Sequence, residues 1–173
     1  SRMLVQVLLV AHIAVLGYWL GAELVINSTY RYVAWSAAMP FAERDRLMQD
    51  VMDVDQHVRY ALILQAGLGA ALAALLGHVP GGAPVALAAA VLAAAWLVLV
   101  EVVHRARRTP AGKGLSALDR AVRYLAIAIL SGLAGATALG ESDLPGWLAW
   151  KLVLFAGVIA CGTSRHPHVA QAR

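Results

Sequence analysis

Met3-Leu-Val-Gln-Val-Leu-Leu-Val-Ala-His-Ile-Ala-Val-Leu-Gly-Tyr-Trp-Leu-Gly-Ala22 carries no formal charge when His12 is neutral, and its apolar character continues to Ile26. About 20 such residues suffice to cross the hydrocarbon of a bilayer as a helix. In that medium backbone groups must bond within their own segment, so a helix is the natural reading. Four further uncharged or nearly uncharged runs follow: Tyr60–Val79, Val85–Val100, Tyr124–Gly140 and Gly146–Ser164, the last interrupted only by Lys151. No strand-like alternation marks a membrane barrel. The pattern predicts an all-α integral membrane helical bundle with five transmembrane helices. The expected spans are about 3–26, 58–79, 84–104, 118–140 and 146–164, in one domain covering 1–173.

Composition agrees. The 173 residues are 61% hydrophobic and 14% charged, where a soluble domain carries about a quarter charged residues. The single cysteine, Cys161, excludes a disulfide framework and a thiolate zinc site. It reads as a small packing residue. A net charge of +4 raises nucleic acid as a partner, but the cations sit in membrane-flanking loops, so the partner expected is the lipid bilayer. Ser1-Arg2 reads as a remnant ahead of Met3. No cleavable signal peptide is legible, because the first run is as long as a full span.

Charge asymmetry predicts orientation. Arg31, Arg44, Arg46 and Arg59 lie between spans one and two. Arg105, Arg107, Arg108, Lys113, Arg120 and Arg123 lie between three and four, and Arg165 and Arg173 follow five. The opposite side has Arg2, Glu141 and Asp143. The N-terminus is therefore expected outside and the C-terminus in the cytoplasm, in a bacterial inner membrane. Tyr30, Tyr32, Trp35, Tyr60 and Tyr124 then form the inner aromatic belt, and Trp147 and Trp150 the outer one.

Between spans one and two, a short interfacial helix over about 40–56 is expected. It shows Leu47, Met48, Val51 and Met52 to lipid, or else is a solvated connector. Ser116 and Asp119 resemble a capping box opening span four. Asp55-Gln-His-Val-Arg-Tyr60 recurs as Asp119-Arg-Ala-Val-Arg-Tyr124, each copy leading into a Gly/Ala-rich helix. This reads as a parallel repeat or as chance similarity between simple helices. Gly67/Ala71, Gly132/Ala136 and Gly157/Cys161 are spaced four apart, which lets helix backbones approach closely.

Ionisable groups inside spans mark candidate sites, since each costs roughly 2.5–3.5 kcal/mol when charged at mid-membrane. His12 lies mid-span in the first helix and Lys151 inside the last, at comparable depth from the outer side. His78 ends span two on that side. A neutral imidazole in a dry bundle is a good axial ligand for haem iron. A lysine nearby pairs with a propionate. The plain alternative is a histidine bonded to a carbonyl and a lysine snorkelling outward.

His12-Ile-Ala-Val-Leu-Gly-Tyr-Trp19-Leu-Gly21 resembles the first helix of the copper-resistance D-like membrane family. Gly146-Trp-Leu-Ala-Trp-Lys-Leu152 resembles the opening of a helix in the small membrane-bound protoporphyrinogen oxidase family. The resemblance covers about twenty residues of two helices. It implies a compact helix bundle that binds haem b or porphyrin, with functional residues at His12 and Lys151.

A second cluster is expected at the cytoplasmic face. Glu23 ends span one, Asp53, Asp55 and His57 precede span two, and Glu101 and His104 end span three. Glu101-x-x-His104 presents both side chains on one helix face, a spacing used in carboxylate metal sites of helical bundles. Glu23, His57, Glu101 and His104 would suit iron, manganese or zinc. They equally suit an interfacial network with Arg59, Arg105 or Arg123. His57 and His104 also fit a second, inner haem. His166-Pro-His168 reads as a solvated tail. No phosphate loop, nucleophile elbow or Cys-x-x-Cys is found, so no enzyme class is legible. The function expected is electron transfer or porphyrin-linked redox chemistry, with quinone or another redox partner, in a monomer or an oligomer. The alternatives are a membrane metal-binding protein and a non-catalytic accessory subunit.

Overall fold

A computed structural model describes residues 2–106 and 109–164, and side chains except those of 110–113 and 162–164. Arg107, Arg108, Arg165, Arg173, His166 and His168 therefore lie outside the described residues, as does the side chain of Lys113. Five helices make up the described fold, and no strand occurs among the described residues. They are α1 (Arg2–Trp35), α2 (Phe41–Leu75), α3 (Gly82–Ala106), α4 (Pro110–Ala138) and α5 (Gly146–Ser164). The first four contain stretches long and apolar enough to cross a membrane, whereas the apolar part of α5, Gly146–Cys161, is shorter.

The surface identifies the solvent. Leu24 is 71% exposed, Leu92 70% and Leu154 68%. Water does not tolerate large bare leucines on helix after helix, and lipid does. The four long apolar helices mark a multi-pass membrane protein.

Helix boundaries depart from the expectation at α1 and α2. The first helix does not stop near Ile26 but continues to Trp35. At 34 residues it is roughly 51 Å long, well beyond a core about 30 Å thick. Asn27 donates to the Glu23 carbonyl, and Ser28 and Thr29 donate to that of Val25. Polar side chains that bond back to their own helix leave its ladder intact.

The expected interfacial helix and second span are a single helix, α2. Pro40 stands at its N-cap with an extended backbone, φ −57° and ψ 145°. No glycine or proline interrupts residues 41–66, so nothing stops the helix near position 56. Val51 is expected to face lipid in the interfacial-helix reading and water in the connector reading. Instead it is buried with Ile26 and Val58, and Trp19, Ala22, Met48, Val54 and Leu62 pack around this cluster. The polar start of α2 is thereby pinned along the tail of α1.

The contacts divide the chain into two compact units, residues 1–100 and 101–173. In the first, α2 also packs on α3 through Ala71, Ala74 and Ala86, with Leu75 and Val85 beside them. The connecting turn uses glycines in the left-handed region, at Gly77 (φ 79°) and Gly81 (φ 110°). A Cβ on Gly67 would stand 2.5 Å from the Ala93 Cβ, so hydrogen is what permits this approach.

In the second unit α4 packs on α5. The helix opens earlier than expected, with Thr109 as N-cap and Pro110 in the first turn. Ser116 and Asp119 therefore lie inside α4 and form no capping box. Nothing lies within 4 Å of where a Cβ would stand on Gly132 or Gly157. Those two glycines are not close-packing points within the described structure.

Gly67→Val should destabilise the first unit by about 1–3 kcal/mol, the usual cost of overpacking. Gly132→Ala should be neutral or stabilising by up to about 1 kcal/mol, from helix propensity. Thermal unfolding in detergent compares the two directly.

Candidate intramembrane polar site

His12 turns toward α2 rather than lipid. Gln65 and Gly69 are four apart on α2 and share a face. The Gln65 amide nitrogen lies 3.1 Å from His12 Nε2. An amide N–H can only donate, so Nε2 accepts and the ring proton sits on Nδ1. A Cβ on Gly69 would come within 3.2 Å of His12 Cε1. Glycine there makes room for the imidazole edge. Gln65 is only 9% exposed. Its Oε1 is buried with no hydrogen-bond partner among the described residues, as are the indole nitrogens of Trp19 and Trp96.

Further along α1, Tyr18 Oη lies 3.1 Å from His57 Nδ1. The His57 ring tilts against that of Tyr60, with centroids 6.2 Å apart and planes at 32°. Gln56 donates to the Tyr60 hydroxyl at 3.0 Å. Unlike His12, the His57 ring is exposed.

The duplicated Asp-x-x-x-Arg pattern forms the same ion pair twice. Asp55 meets Arg59 at 3.2 Å, and Asp119 meets Arg123 at 2.6 Å. The second pair is the more buried, with side-chain exposures of 7% for Asp119 and 12% for Arg123.

The remaining candidates are dispersed. Glu101 is paired with Arg105 one turn along α3, as an interfacial charge network predicts. His104 is half-buried in the last turn of α3, where the helix dipole favours a basic group. Glu23 is half-buried on α1. Among the described residues no group of three or more His, Cys, Asp or Glu stands close enough to hold a metal ion. Glu23 and His57 belong to the first unit, and Glu101 and His104 to the second. His78 lies in the turn after α2, its backbone N–H bonded to the Ala73 carbonyl. Lys151 belongs to the second unit, where its ammonium stands 4.9 Å from the Trp147 ring centroid, a cation–π distance. Cys161 is exposed.

Sequence reading missed Tyr18, Gln65 and Gly69. Gln65 was available as a polar amide within an uncharged run, four residues before a glycine. In comparisons with family models, curated proteins and solved structures, nothing matches this chain.

Gln65→Leu and His12→Leu should each destabilise by roughly 0.6–1.7 kcal/mol, the range for hydrogen bonds between membrane helices. Because they share one bond, a double-mutant cycle should show the second substitution costing less than the first. Strict additivity would mean that the two side chains do not interact.

Proposed function

We propose that this chain is a bacterial cytoplasmic-membrane protein that binds haem b or a porphyrin for electron transfer or porphyrin-linked redox chemistry. In this reading it has five spans, with α5 as the fifth, an outer N-terminus and a cytoplasmic C-terminus. Arginine placement along the chain supports that orientation: Arg31, Arg44, Arg46 and Arg59 fall between spans one and two, whereas Glu141 and Asp143 fall between spans four and five.

The observation that carries the cofactor reading is His12. Its imidazole sits within the charge-free run Met3–Ala22, turned onto α2 where Gly69 leaves space for it. A neutral imidazole in an apolar seam would serve as a ligand to haem iron. Bound haem supplies a one-electron couple. The chain's own contribution is to orient the ring and keep it dry. Gln65 bonds Nε2 of His12, so its amide would have to turn away for that nitrogen to serve as a ligand. Lys151 enters as a neighbour of the porphyrin on the strength of the motif resemblance, and His78 because it ends span two on the side expected to be outer. An iron, manganese or zinc centre on Glu23, His57, Glu101 and His104 has less support, because Glu101 is engaged by Arg105.

One observation favours a second reading. The existing Gln65 bond to Nε2 makes His12 an interhelical clamp in a non-catalytic accessory subunit. Absorption spectra separate the two. The cofactor reading expects purified protein to show a Soret band that sharpens on reduction, is lost in His12→Ala and survives Gln65→Ala. Colourless protein after haem supplementation, with intact folding, contradicts it and leaves the clamp.

A further inference from the structure

We propose that the paired ends of α1 and α2 form an arm that projects from the membrane and docks a water-soluble protein through that protein's basic face. The arm follows from the membrane-spanning fold and does not depend on the cofactor reading.

Helix length makes the arm. The apolar run of α1 begins at Met3 and ends at Ile26, so the excess of this helix over the hydrocarbon lies at its C-terminal end. Residues 27–35 add about 14 Å of helix. Headgroups occupy about 5–8 Å on each side of the hydrocarbon, so the tip clears them. The start of α2 keeps pace. Val51 packs on Ile26, and α2 begins at Phe41, about 15 Å further out. Val33 is buried along this stretch, and Arg44 donates to the Ser36 carbonyl at 3.4 Å near the tip. The arm is therefore a packed helical hairpin with its own small core.

Its surface differs from the rest of the chain. Residues 23–55 hold six of the ten acidic residues but only three of the fourteen lysines and arginines, a local charge of −3 in a chain of +4. Glu43, Asp45, Asp50 and Asp53 are exposed, against Arg31 and Arg46. Around the connection, Tyr32 is 58% exposed, Trp35 74% and Phe41 80%. Bare leucines suit lipid, but these aromatics stand beyond the headgroups, where an exposed apolar patch marks an interface. Aromatic and arginine side chains are the common anchors of protein interfaces, and Arg31 lies over the Trp35 ring at 4.6 Å.

Charge selects the occupant. Anionic headgroups repel this surface, and the tip stands outside the headgroup layer. A second arm repels the first for the same reason. A soluble protein with a basic face is attracted across a Debye length of about 8 Å, and its apolar contacts then cover Trp35 and Phe41.

The test is binding of cytochrome c, a small soluble protein with a lysine-rich face, to the full chain in phosphatidylcholine nanodiscs. Saturable binding is expected. Glu43→Gln combined with Asp50→Asn should weaken it about fivefold or more. Glu141→Gln combined with Asp143→Asn removes the same charge from the second unit and should leave it unchanged. Lysine-acetylated cytochrome c keeps the shape without the charge and should not bind. With p-benzoylphenylalanine in place of Phe41, light should join the chain to the probe. Absence of binding overturns the proposal, as does equal binding by the Glu43/Asp50 variant or by the acetylated probe. Photoproducts that join position 41 only to lipid or to a second chain overturn it too, and identify a membrane or self-association surface instead.

Discussion

The α1–α2 seam is the contact on which the first unit depends. Two long helices run against each other, and their interface changes character along its length. Near the polar start of α2, Ile26, Val51 and Val58 form an aliphatic cluster with Trp19 laid against it. Further along, the contact becomes polar, with Tyr18 on His57 and then His12 on Gln65. In lipid, apolar packing between helices gains little from the hydrophobic effect, because the tails are as apolar as the side chains. Interhelical hydrogen bonds and close approach must therefore set the register. The two histidine contacts are six residues apart on α1 and eight apart on α2 (12 to 18 and 65 to 57), so together they define how the helices align.

The seam joins architecture to chemistry through one side chain. Gln65 holds His12 in place, and in doing so occupies the nitrogen that iron would need. It is an amide with one end satisfied and the other, Oε1, buried without a partner among the described residues. Buried polar atoms left without a partner are costly. The same residue thus joins α1 to α2 at His12.

Much of the fold was legible because charge-free runs of span length leave few alternatives in a chain this apolar. Helix ends were not. Asn27, Ser28 and Thr29 look like a loop by composition, yet their side chains bond back to the helix and extend it. Residues 41–56 look like a separate surface helix, yet Val51 and Met48 face α1. That outcome depends on the register of a partner helix, which no local pattern encodes. His12 was legible as an ionisable group in a span, whereas Gln65 and Gly69 carry no charge and became visible only once α2 was placed beside α1. The Asp55/Asp119 echo was legible, and each copy forms an ion pair one turn along its helix, the second more buried than the first.

The orientation of His12 decides between a bundle built around a polar seam and one that exposes an imidazole to lipid. Solid-state NMR of 15N-histidine-labelled, pigment-free protein in bilayers reads it directly. The account predicts a neutral ring protonated on Nδ1, with an Nε2 resonance that shifts in Gln65→Leu. An Nε2 resonance indifferent to Gln65 would contradict it.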